Sequence, residues 1–163
     1  MPRFDFCLTA AGDEEGSVLL SMPTYRGIPL HSGAFCMSGQ REVLETNFPP
    51  RIVARLKYVQ RSVPVIRLDT LNLSPTVVKI DAEGYDLKII YGMTETIRRC
   101  RPVMMVENNP STVKTITELL GKMGYGVYEF DYAKNRFCAY RGGHTRNLFF
   151  TVSDPLRESR KDG

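Results

Sequence analysis

Two four-residue runs, Val77–Ile80 and Val103–Val106, constrain this chain more than any other feature. Each is short and apolar, the first broken only by Lys79, and each stops at a carboxylate, Asp81 or Glu107. Between them Leu87, Ile90, Tyr91, Thr94 and Ile97 recur at spacings of three and four, the pattern of a one-sided helix. After the second run Val113, Ile116, Leu119, Leu120 and Met123 repeat that pattern. Strand, helix, strand, helix implies an α/β fold: a parallel sheet with covering helices.

The remaining elements are weaker. Phe4–Ala10 and Ser17–Met22 read as two strands around the polar turn GDEEG. Residues 23–50 show no period and are rich in Gly, Pro and Ser, which predicts a long, mobile loop from Pro23 to Gln40. Arg51–Val63 alternates enough to favour an extended segment, and Val63–Leu71 reads as a strand. Gly92 should break the first helix, because a mid-helix glycine costs about 1 kcal/mol against alanine. Pro110 and Ser111 should open the second, and Gly124 or Gly126 should stop it. Val127–Tyr132 and Leu148–Val152 complete the strands, joined by a turn-rich piece that suits an antiparallel finish. The tail over 155–163 is charged and expected to be flexible.

At 163 residues, with 42% hydrophobic and 25% charged side chains, the chain suits one domain with one core. The net charge is +4 and the basic residues are spread out, with only a small cluster at Arg157, Arg160 and Lys161. No basic stripe marks a nucleic-acid binder, and no run of 18 apolar residues marks a membrane span. Cys7, Cys36, Cys100 and Cys138 are scattered, and His31 and His144 stand alone, so no zinc spacing occurs. Scattered cysteines without a secretory signal point to the cytoplasm, where they serve as small buried apolar residues.

The chemistry lies where the two runs end. In an open α/β sheet, ligands bind at the carboxyl ends of the strands. Parallel neighbouring strands would gather Asp81 and Glu83 with Glu107, Asn108 and Asn109 at that edge. Singly, each is better explained as a helix cap, Asp81 or Glu83 for the first helix and Asn109 for the second. Together, a carboxylate at each of two strand ends exceeds what capping requires. His144 is a weaker candidate base, and no GxSxG, P-loop or HExxH motif is present.

These residues resemble a known family. RLDTL at 67–71, VKIDAEGYD, GM at 92–93 and RPVMMVENN at 101–109 fall in the order seen in FkbM-type S-adenosylmethionine-dependent methyltransferases. RNLFF at 146–150 is similar to that family's closing strand, and FDFCLTAAGDEEGSVLLSM to its middle segment. The resemblance implies a partial class I (Rossmann-like) fold, a mostly parallel sheet with an antiparallel last strand, over residues 1–154. It starts at the family's third strand; the glycine-rich cofactor turn and the acidic residue that holds the ribose are missing. The strand expected beside VVKI is missing too, leaving an unpaired edge.

The implied activity is methyl transfer from S-adenosylmethionine to a hydroxyl of a small molecule or glycan. Asp81, Glu83 and Glu107 are the implied catalytic carboxylates, with Ala10, Ala11 and Asp81 on the cofactor side. Without the glycine-rich turn, cofactor binding by the chain alone should be weak. A metal held by Asp81, Glu107 and Asn108 is the lesser alternative, which the resemblance does not require; no metal is expected. The rival reading is a non-catalytic remnant or partner subunit. It would act through the exposed sheet edge, by self-association or by pairing with a chain that supplies the missing strands.

Overall fold

The computed structural model describes residues 5–30, 33–36, 40–143 and 145–153. They form two sheets, each mixed. The first holds β1 (Ala10–Ala11), β2 (Gly16–Tyr25), β3 (Ile28–Pro29) and β4 (Leu56–Ile66), in the order β1-β4-β2-β3. A long antiparallel ladder from Gly16↔Val65 to Tyr25↔Leu56 is its backbone, and β1 joins β4 in parallel. Helices α1 (Gln40–Thr46) and α2 (Pro50–Val53) lie between β3 and β4 in sequence.

The second sheet holds β5 (Val77–Ile80), β6 (Val103–Glu107), β7 (Gly126–Asp131), β8 (Arg136–Ala139) and β9 (Asn147–Thr151), in the order β5-β6-β9-β7-β8. Helices α3 (Asp86–Gly92), α4 (Thr94–Cys100) and α5 (Val113–Lys122) cover one face. Ile80, Met104, Val106, Leu148 and Phe150 from the strands meet Ile90, Met93, Ile97, Ile116 and Leu120 from the helices, all nearly inaccessible to water. Side chains alternate across a strand, so Phe149, between Leu148 and Phe150, points to the opposite face. There it joins an edge-to-face series with Phe137 and Phe130 at 5.1 Å per step.

Several expectations need correction. The second sheet is not mostly parallel: only β5–β6 is a parallel pair, because β9 enters antiparallel between β6 and β7, and β8 adds a further antiparallel strand. Val77–Ile80 is not buried on both faces but lies at the edge of the described sheet, with Val77 67% exposed. The strand expected over Phe4–Ala10 shrinks to Ala10–Ala11, and Phe6 and Leu8 are exposed. The segment from Pro23 to Gln40 is partly regular: β2 continues to Tyr25, β3 follows, and Phe35 exchanges backbone hydrogen bonds with Ser21. Residues 51–53 are helical, so the extended segment starts at Leu56. The last helix begins at Val113, after a turn through Pro110–Thr112.

Other expectations hold. The helix after β5 breaks at Met93, beside Gly92. All four cysteines are free, although none is fully buried: Cys7 is exposed and the others are partly so. No helix among the described residues is long and apolar enough to cross a membrane. The tail over 155–163, together with His31 and His144, lies outside the described residues.

Candidate functional site

Beyond Ile80 the chain turns sharply. Glu83 sits at φ +48° and Gly84 at φ +90°, left-handed conformations that glycine adopts freely and glutamate only at some cost. The turn is held by Asp86, whose wholly buried carboxylate accepts from the backbone N–H groups of Ala82 and Gly84, both at 3.2 Å. The expected caps are therefore reassigned. Neither Asp81 nor Glu83 caps α3, which has no side-chain cap; Asp86, inside its first turn, fastens the loop instead. Of the five non-glycine residues with positive φ among the described residues, Glu83 is the one that lines the cavity described next.

The facing wall comes from the first sheet. Ala10 and Ala11 lead into Gly12, whose N–H donates to the Ile66 carbonyl at 3.0 Å. Gly12 lies directly on α3: a Cβ on Gly92 would fall 1.8 Å from the Gly12 carbonyl oxygen. Lys88 on α3 pairs with Asp13 at 3.3 Å. These contacts bring the two sheets together around a cavity of about 510 Å³. Ala10, Ala11, Leu20 and Phe35 line it from one side, and Asp81, Glu83, Tyr85 and Arg146 from the other.

Acidic charge is crowded here. Burial pushes the Glu83 carboxyl above its ordinary pKa; Asp81 and Asp86 add to the shift and Arg146 opposes it. Burial likewise raises Glu107, reinforced by Glu83, Asp81 and Asp86 and opposed by Arg146. Asp81 is ion-paired with Lys79, two residues back on the same face of the strand.

Of the residues chosen from sequence, Asp81, Glu83, Ala10 and Ala11 meet in the one cavity. Glu107 ends the strand parallel and adjacent to β5, within electrostatic reach of Glu83 but not in the cavity lining. Asn108 and Asn109 turn to structural work. The Asn108 amide donates to the Thr145 carbonyl at 2.9 Å, and the Asn109 side chain accepts from the Ser111 N–H and hydroxyl. Asn109 thus fastens the turn before α5 rather than capping the helix itself. Among the described residues no group of three or more His, Cys, Asp or Glu is arranged to hold a metal.

Sequence reasoning missed Arg146. Its signal is topological: Glu107 pairs with Asn147, so the start of β9 lies beside the end of β6. An antiparallel finish read from sequence carries no strand order, so that neighbourhood is invisible in it.

The family model of the methyltransferase FkbM domain matches residues 31–127, more than half of the chain. The chain belongs to the FkbM methyltransferase family. The match takes in Asp81, Glu83, Glu107 and the α3–α4 break at Met93. Ala10, Ala11 and Arg146 lie outside the matched FkbM segment, yet the fold carries them to the same cavity. No curated protein and no solved structure matches the chain.

Proposed function

We propose that this FkbM-family chain acts in methyl transfer from S-adenosylmethionine to a hydroxyl oxygen. The observation that carries the reading is the convergence of Asp81 and Glu83 with Ala10 and Ala11 on one cavity between the two sheets. The donor set suits such a cofactor. The carboxylate crowding that raises Glu83 and Glu107 is what a cationic sulfonium relieves. Ala10, Ala11 and Leu20 offer a smooth apolar wall for a flat ring. S-adenosylmethionine supplies an already activated methyl group; the protein's part is to align the acceptor and manage one proton.

Glu83 is the best placed proton acceptor, because it lines the cavity and its raised pKa brings it nearer the working pH. Asp81 faces the cofactor side, its charge tempered by Lys79.

Calorimetric titration of S-adenosylmethionine into the chain tests the reading. Saturable but weak binding is expected, weaker than about 10 µM, or roughly −7 kcal/mol, and lost in Asp81→Asn. The absence of any saturable binding, with no label transferred from methyl-labelled cofactor to hydroxylated acceptors, would refute it.

A further inference from the structure

We propose that Arg146 is the anion anchor for the methyl acceptor, which makes the acceptor a hydroxylated carboxylic acid, of the uronate or hydroxy-acid class. The inference rests on the methyl-transfer reading and adds the substrate's charge to it.

Arg146 is the one cation lining the cavity among the described residues, and its guanidinium makes no hydrogen bond or ion pair with any of them. The other nearby cations are committed, Lys79 to Asp81 and Lys88 to Asp13. An arginine that lines the cavity and offsets the charge of Glu83 and Glu107 without a hydrogen bond to either has its planar fork of donors open to a ligand.

Its backbone is held firmly while its head is free. The Arg146 carbonyl accepts from the Asn108 N–H at 2.9 Å, and the Asn108 side chain holds the preceding Thr145 carbonyl. Asn147 is already in register with Glu107 in the β6–β9 ladder. The backbone therefore needs no further ordering when a ligand arrives, and the cost that remains is that of fixing the side chain.

Position decides which ligand. Arg146 acts electrostatically on both Glu83 and Glu107, so an anion bound to it lies beside the carboxylates that would take the acceptor's proton. Ala10 and Ala11, the cofactor wall, belong to the other sheet. Charge decides the anion. A carboxylate is a single charge that an arginine takes by two parallel hydrogen bonds. A phosphate dianion would put a second negative charge among Asp81, Glu83 and Glu107 with one free cation to meet it.

Binding of glucuronate, methyl glucoside, glucose 6-phosphate and S-adenosylhomocysteine to the full chain, by NMR titration, tests the proposal with Arg146→Gln and Arg146→Lys. Glucuronate should bind at least tenfold tighter than methyl glucoside. Arg146→Gln should erase that preference, leaving Tm unchanged and S-adenosylhomocysteine affinity within about twofold of wild type, and Arg146→Lys should restore part of it. The proposal is overturned by equal binding of the two sugars, by no glucuronate binding, or by a preference that survives Arg146→Gln. Tighter glucose 6-phosphate binding, or loss of S-adenosylhomocysteine in Arg146→Gln, overturns it as well. Failure of S-adenosylhomocysteine to bind, with the glucuronate preference intact and dependent on Arg146, would remove the methyl-transfer reading and leave the anchor standing.

Discussion

Glu83 and Glu107 hold their protons more tightly in the folded chain than free carboxyls do. A raised folded pKa means that these groups favour folding below the ordinary carboxyl value. That contribution is lost as pH rises through the folded value. At neutral pH the two charges therefore work against the fold. Glu107→Gln should raise Tm on the order of 1–3 °C at pH 7.5, and the gain should vanish near pH 4. Melting curves at the two pH values check this; a gain that is equal at both would show that charge is not the cause. Glu83→Gln should behave alike in stability while lowering methyl transfer about a hundredfold or more, the smaller end of what a positioned base contributes.

At the scale of elements, the α3–α4 pair shows how motif and structure relate. The LDTL segment forms a 3-10 turn whose Asp69 carboxylate accepts from the N–H groups of Glu95 and Thr96, at 3.2 and 2.8 Å. It supplies, from 26 residues away in sequence, the cap that α4 lacks locally. Asp69→Ala should cost about 1–2 kcal/mol, or roughly 3–6 °C in Tm, with hydrogen exchange quickening first in α4. Unchanged exchange there would mean that the cap contributes nothing. Gly92→Ala is the sharper test. Its Cβ would strike the Gly12 carbonyl, forcing α3 and the Ala10–Ala11 wall apart. A loss of about 1–3 kcal/mol is expected, with cofactor binding lost in step; binding kept intact would separate that wall from the site.

What could be read from sequence follows from what kind of interaction sets each feature. The runs at Val77–Ile80 and Val103–Val106, and the periodic stretches after them, are local patterns, and they foretold β5, β6 and the helices. So did the carboxylates at the strand ends, since residue order alone puts Asp81 and Glu83 past β5. Strand order is not local. Nothing near Asn147–Thr151 says that it enters between β6 and β7, so Arg146 stayed hidden, and the sheet was taken as more parallel than it is. Asp86 was hidden for another reason: a carboxylate bonding backward to a turn looks, in sequence, like an ordinary first-turn acid.

At the scale of the whole molecule, the described residues leave part of the helix-free face of the second sheet exposed. Val77 is 67% and Val103 41% exposed there, on adjacent strands. The bond from the Val103 N–H to the Thr76 carbonyl fixes which way β5 faces, leaving the N–H and C=O groups of Val77 and Lys79 pointing outward. Open edges recruit other strands, and a short strand bearing a lysine resists this. The expected self-association should therefore be weak and limited by Lys79. Sedimentation velocity should show larger species for Lys79→Val at a concentration where the wild type is mainly monomeric. Identical profiles would show that this edge takes no part in association.

The meeting of Gly12 with Gly92 has a mechanical consequence. Side chains in contact turn about their bonds and absorb small movements. Here main chain rests on main chain, and no rotamer lies between them to take up slack. The joint behaves as a rivet. A tilt of α3, which comes shortly after the Glu83–Gly84 turn, should therefore carry over to Ala10 and Ala11 across the cavity, so that the two walls shift together.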